Sequence, residues 1–274
     1  MESFFSVLTA AVADFAEHGF DSEQRLRRWV DAIRAAAIRD SVPDVEVQVR
    51  LRDSLTDVFR RAVKEGGLLA DHPGLSRFRL AQLEPRLHDE LERRIMTSAN
   101  LIRLNRDVAI EATVRRFSGW ASSVPPGGTP VRDRVAVKRD VRKGLAQLDF
   151  VERRVAIDQG AKFMANLSDI VAHDAGALAG VWHSRWRVPG YQYREDHKER
   201  DGKTYAVRGS WALERGLMKP GPAGYVDGIT RPAEEVFCSC RYKWLYGLRQ
   251  LPQDMVTKRG RDELARTAAE SYAA

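Results

Sequence analysis

At 274 residues and 43% hydrophobic composition, the chain holds enough apolar material to bury a core in one large or two modest domains. No run of 18 uncharged apolar residues occurs, and Glu2, Asp14 and Glu17 occupy the first twenty positions without a basic segment, so neither a membrane span nor a secretory signal is expected and synthesis in a cytoplasm is. The net charge of +7 is unevenly laid out, with 15 Lys+Arg against 17 Asp+Glu in residues 1 to 100 and 30 against 21 thereafter, which points the later region toward a polyanion such as nucleic acid unless the excess serves solubility alone.

The chain begins as helices. Phe4, Phe5, Leu8, Ala11, Val12 and Phe15 recur at the three-and-four spacing of one helical face, and Gly19 is placed to cap it. Asp21 is an N-cap candidate for a second helix with the stripe Leu26, Trp29, Val30, Ile33 and Ala37, ending before Pro43. Leu51, Leu55, Val58, Phe59, Ala62 and Val63 mark a third, closed by Gly66-Gly67. Pro85 suits the first turn of a long helix running through Leu87, Leu91, Ile95, Ile102 and Ala109 toward Phe117. Residues 1 to 118 thus read as a helical bundle or arm that either is self-contained or docks on another protein or a neighbouring copy of itself, in which case Phe4, Phe5, Leu8, Trp29 or Phe59 is expected to be buried partly on that partner. His18, His72 and His88 stand singly, without a ligand at helical spacing, and read as surface or satisfied core histidines.

Gly119 to Pro130, with Pro125-Pro126-Gly127-Gly128 at its centre, is the clearest break, and no helix is expected to survive it, so 119–134 is read as a linker. Arg132, Arg134, Lys138, Arg139, Arg142 and Lys143 then form a basic cluster, followed by Arg153 and Arg154, and are the expected contact for double-stranded DNA without sequence preference. A helix from about Leu148 to Val171 carries Val151, Val155, Phe163, Leu167 and Ile170 as its apolar positions. Gly176 and Gly180 break it. The pieces Val181-Trp-His, Tyr191-Gln-Tyr, Thr204-Tyr-Ala-Val and Glu235-Val-Phe lean toward strand, which makes 135–250 a small mixed α/β module with long loops and leaves 251–274 as a tail. The expected fold class is α+β.

The chemically specific side chains are concentrated between Trp182 and Trp244, a stretch that holds four of six tryptophans, both cysteines and two of six histidines. The order Trp186, Arg194-x-x-His197, Asp201-Gly202-Lys203, Gly216, Pro220-Gly221, Pro232 and Cys238-x-Cys240-Arg241 resembles the C-terminal module of the Mu F-like phage minor head proteins, the head morphogenesis family. The resemblance covers residues 148 to 245, with the helix that starts near Arg153 in the place of that family's entry helix. It implies a structural virion protein rather than an enzyme, held in few copies inside the phage head at the portal vertex. The portal protein, on which residues 1 to 118 would dock if not on a neighbouring copy, other head proteins and packaged DNA would be its partners, and assembly or genome ejection its role. The chain departs from the family pattern at Gln159, where Glu is usual, and at Arg194-x-x-His197, where many relatives carry Cys-x-x-Cys and so complete a four-thiolate site.

Two cysteines one residue apart can hardly bridge each other without strain, and their usage fits a reducing compartment. They are either one ligand pair of a structural zinc site, with His197 as the third ligand and His183, His173 or Asp196 as the fourth, or small buried residues beside a His197 that bonds a backbone carbonyl. The second reading is the expectation, so no cofactor is assigned, with zinc at His197, Cys238 and Cys240 as its alternative. In either case the order of the resemblance requires His197 to lie next to both cysteines. A nuclease reading rests on Asp196-His197 beside Asp201 and on the basic charge, but no histidine follows Asp201, and a nucleophile elbow and a Walker loop are also absent. A zinc-stabilised nucleic-acid-binding or metal-dependent nuclease domain is the alternative to the head-protein reading.

Overall fold

The computed structural model describes residues 3–128 and 134–273. The fold is α+β, mostly helical with one small antiparallel sheet. Two compact units are each built from two separate stretches of chain: residues 1–52 with 95–156, and residues 53–94 with 157–274. This differs from the sequential division expected at 1–118, 119–134, 135–250 and 251–274. The reason is that two long helices, α5 (Arg77–Ser123) and α7 (Leu148–Asp174), each supply residues to both units.

In the first unit, Ser3 caps α1 (Phe4–His18) by accepting the Ser6 amide at 3.3 Å, and Ser22, rather than the expected Asp21, caps α2 (Glu23–Asp40) in the same way through Arg25. The α1 face Phe4, Val7, Leu8, Ala11, Val12 and Phe15 packs on Ile33, Ala36 and Ala37 of α2, on Ile110, Val114, Phe117 and Ala121 of α5, and on Val141 of α6 (Arg134–Arg142). Phe15 meets Phe117 edge to face at 5.8 Å. Phe4 and Leu8 are therefore buried in the chain's own core, as Phe59 is in the other unit, whereas Phe5 is half exposed under Lys138 and Arg142. The expectation that Phe4, Leu8 and Phe59 are completed by a partner does not hold, because intrachain helices already cover them.

Residues 119–128 of the Gly/Pro stretch are also not a free linker, while 129–133 lie outside the described residues. Trp120 and Ala121 pack into this core and carry α5 on to Ser123, where Val124, preceding Pro125, leaves the helix. Val124–Gly128 then lies against the end of α1, with the Phe20 amide on the Val124 carbonyl at 3.1 Å and the Gly127 amide on the His18 carbonyl at 3.1 Å. Gly19 makes room for it. Its φ is +71°, and a β-carbon there would stand 1.9 Å from the Pro125 oxygen.

The second unit begins with the end of α3 (Asp44–Phe59), a π turn over Arg60–Lys64, and α4 (Gly67–Asp71). It continues into α5, which Ser76 opens, so that Pro85 falls inside the helix and not at its first turn. Pro85 is exposed, where water can take up the carbonyl that its missing N–H leaves free, and the buried stripe Leu80, Leu83, Leu87 and Leu91 holds the helix through it.

Among the described residues, the sheet has the order β2 (Thr204–Ala206), β1 (Ala179–His183), β3 (Arg241–Leu245), antiparallel throughout, with Gly180 opposite both Tyr205 and Trp244. Strand alternation separates two cores. Ala179, Ala206 and Leu245 face one with Leu217, Met218, Leu248, Leu251, Met255 and Val256, while Trp182, Tyr205, Tyr242 and Trp244 face the other with both cysteines. Leu251, Met255 and Val256, in the stretch expected as a tail, belong to the first of these, and α10 (Lys258–Ala273) follows. Gly180 is required in mid-strand, since a β-carbon there would lie 2.8 Å from the Tyr242 ring.

Candidate metal centre

His197 sits on α8 (Glu195–Glu199), a single helical turn, and is 2% exposed. Its Nδ1 lies 3.5 Å from the sulfur of Cys238 and 3.5 Å from that of Cys240, although 41 and 43 positions separate them. The thiols are 0% and 3% exposed, and the three ligand atoms lie within 4.8 Å of one another. The neighbourhood that the order of residues required is present, and with it a group able to hold a metal ion. Among the described residues His197 bonds no carbonyl through Nδ1, whose partners are the two sulfurs. Its other nitrogen makes no hydrogen bond, but the carboxylates of Glu235 and Asp196 stand 3.6 and 3.9 Å from it. Thiols on one ring nitrogen and carboxylates on the other match a ligating histidine with its outer partner.

The candidate fourth ligands fare differently. Among the described residues, His173 and His183 belong to no such group, and His173 instead packs edge-on against Trp244 with its Nδ1 on the Asp169 carbonyl at 2.9 Å. Asp196 does converge on His197, together with Glu235, a residue that the spacing of the sequence did not single out. Asp201 is committed elsewhere. It accepts the Ser184 amide at 2.9 Å, the Trp186 indole at 2.9 Å and Arg187 at 3.0 Å, and these hold its carboxyl below the ordinary range despite the upward push of burial. It therefore ties the loop after β1, and among the described residues it does not join the group that Asp196 and Glu235 form with His197.

The Ala233 amide donates to the Cys238 sulfur at 3.3 Å. The Cys240 thiol also donates to Cys238, which pulls Cys238 well below the usual thiol range and, together with burial, pushes Cys240 up.

The loop carrying Cys238 is strained. Ala233 and Phe237 have φ of 62° and 57°, in a region costing roughly 1–3 kcal/mol for a residue with a side chain. This explains why Glu235-Val-Phe is not the strand its composition suggested. Tyr191-Gln-Tyr is likewise a loop, because the Tyr191 hydroxyl bridges the Phe237 carbonyl at 3.2 Å and the Ser239 amide at 2.9 Å. Arg194 closes the group by donating to the Val236 carbonyl at 2.9 Å and pairing with Glu235 at 2.6 Å.

The basic residues form a separate feature in the first unit. Arg132 lies outside the described residues. Arg134, Arg139, Arg142 and Lys143 are exposed and Lys138 half-buried, with Val141 turned inward, so α6 presents its charge to solvent. Asp140 interrupts the stripe, bonding Lys143 at 2.7 Å and facing Arg116 at 3.7 Å. Among the described residues, no helix is long and apolar enough to cross a membrane.

No protein-family model matches the chain, and no curated protein or solved structure is significantly similar to it.

Proposed function

We propose that the chain is a structural minor head protein of the Mu F-like type, seated inside the phage head at the portal vertex against the portal protein and packaged DNA, with a C-terminal module cross-linked by one zinc ion. What supports this reading is that residues picked out by the resemblance over more than fifty positions make contact with one another: Trp186 with Asp201, and His197 with Cys238 and Cys240.

Zinc suits the donor set. With Zn–S near ~2.3 Å and Zn–N near ~2.0–2.1 Å, a tetrahedron places nitrogen and sulfur about 3.6 Å apart. The two separations here are both 3.5 Å. All three ligands are at most 3% exposed, so an ion among them ties α8 to the start of β3 instead of meeting a substrate. Bound zinc would supply that cross-link and hold both sulfurs as thiolates.

Elemental analysis of the purified chain should give one zinc per molecule, lost in Cys238→Ser and Cys240→Ser. Zinc absent from the wild type would remove the metal from the proposal. Mass spectrometry of cross-linked heads assembled with portal and capsid proteins tests the rest. Cross-links to portal are expected, and a chain missing from finished heads would defeat the assignment.

A further inference from the structure

Lys162 and Asp158, one turn apart on α7, are not part of the ligand set. The Lys162 ammonium donates to three consecutive carbonyls, those of Ala233 at 3.1 Å, Glu234 at 2.6 Å and Glu235 at 2.9 Å. An ammonium has three protons, so each has its own acceptor. Asp158, whose side chain is 4% exposed, lies 3.7 Å from the ammonium and accepts the Phe237 amide at 2.7 Å. Every residue from Ala233 to Phe237 except Val236 is thereby fixed to α7, and the Val236 carbonyl is taken by Arg194.

This is the loop with two positive φ angles, and it leads directly into Cys238. Its first residue also donates its amide to the Cys238 sulfur. A segment that disfavours its own backbone conformation keeps it only when the surroundings over-determine it. The convergent carbonyls would repel one another without the cation between them. We infer that Lys162, neutralised by Asp158, is the positioning residue of the metal centre: it holds the Ala233–Phe237 loop so that both thiols face His197 before any ion arrives. The consequence is a preformed site, in contrast to small zinc modules that fold only around their ion.

The inference rests on the zinc reading for its metal arm alone, and the test separates the two. The full chain is stripped with chelator and compared as wild type, Lys162→Met, Asp158→Asn and Lys162→Arg, with Leu251→Ala, in the opposite core, as a control for lost stability. In metal-free wild type the buried thiols should react slowly with a disulfide reagent. Lys162→Met should speed that reaction by about tenfold or more, with unchanged far-ultraviolet circular dichroism, and Asp158→Asn should lie between. Cobalt added as a probe should give the thiolate charge-transfer and tetrahedral ligand-field bands in wild type. Lys162→Met should need roughly 10–100-fold more cobalt for the same spectrum, the range seen when an outer support of a metal ligand is lost. Lys162→Arg keeps the charge but sets a planar fork against three convergent carbonyls, and should recover only part of both effects. If Lys162→Met matches wild type in labelling, or if Leu251→Ala reproduces its labelling and cobalt effects, the positioning role is wrong. If wild type binds no cobalt or zinc, the zinc reading fails, and the clamp stands or falls on the thiol rates.

Discussion

His72 should make the second unit lose stability on mild acidification. It is fully buried, in a chain of hydrogen bonds: the Trp244 indole donates to Ser168 Oγ at 3.1 Å, Ser168 Oγ lies 3.1 Å from His72 Nε2, and Nδ1 bonds the Tyr246 hydroxyl. Burial disfavours the charged ring and lowers the His72 pKa to about 4. Because the folded value lies below the unfolded one of about 6.5, the unfolded chain takes up the proton first as pH falls. The contribution is whole above the unfolded value, is lost progressively between roughly pH 6.5 and 4, and is flat below that. Linkage between these two values gives a loss of about 2 kcal/mol from pH 7 to pH 5, nearing about 3 kcal/mol at full protonation. Urea unfolding followed by tryptophan fluorescence, for wild type and His72→Gln, isolates this from carboxylates common to both. The wild type should lose about 2 kcal/mol more than the variant over that interval, or about 1 M in midpoint. Equal losses would show that His72 is not held neutral by its surroundings.

Two further outcomes follow from the geometry. Replacing Arg134, Lys138, Arg139 and Arg142 by Ala should reduce the slope of log affinity for double-stranded DNA against log salt by about 3–4, since each phosphate neutralised contributes about 0.9; an unchanged slope would place the contact elsewhere. Gly180→Ala drives a methyl to 2.8 Å from the Tyr242 ring and should lower stability by about 1–3 kcal/mol in thermal unfolding, where a variant as stable as wild type would mean that the sheet's aromatic face yields freely.

The helices were legible wherever one face was buried by near neighbours in the sequence. α1 and its cap at Gly19 follow from periodicity and a single glycine, and α2 was off by one residue only because Asp21 and Ser22 are both able caps. What could not be read was how far a helix persists once tertiary contacts act on it. Pro85 and Gly119 are strong local signals, yet packing of Leu83 and Leu87 on one side and of Trp120 and Ala121 on the other carries α5 through both. β3 is legible in principle, since Arg241-Tyr-Lys-Trp-Leu alternates polar and apolar side chains at period two. In the centre itself, His197, Cys238 and Cys240 announce themselves by residue type. Glu235 and Lys162 do not, since a charged residue in a helix or loop usually faces water and only the fold aims Lys162 at three carbonyls.

The distribution of charge shows the same limit in another form. Along the chain the excess looks polarised, 15 basic against 17 acidic residues up to position 100 and 30 against 21 beyond it. The compact units cut across that division, because residues 95–156 fold with 1–52, and 53–94 with 157–274. Counted by unit, the totals are 19 against 15 and 26 against 23, so the asymmetry belongs to the order of residues and not to either folded body. A polyanion feels the surface it approaches within a Debye length of about 8–10 Å, where local density matters more than the total. On that scale α6 and the residue after it carry Arg134, Lys138, Arg139, Arg142 and Lys143 against Asp140 alone. Much of the charge elsewhere is already paired across short distances, as Arg208 is with Asp227 at 2.9 Å and Arg231 with Asp169 at 2.8 Å. The expectation of a DNA contact therefore rests on α6 and not on the net charge, which is why the salt-slope test is aimed at that helix.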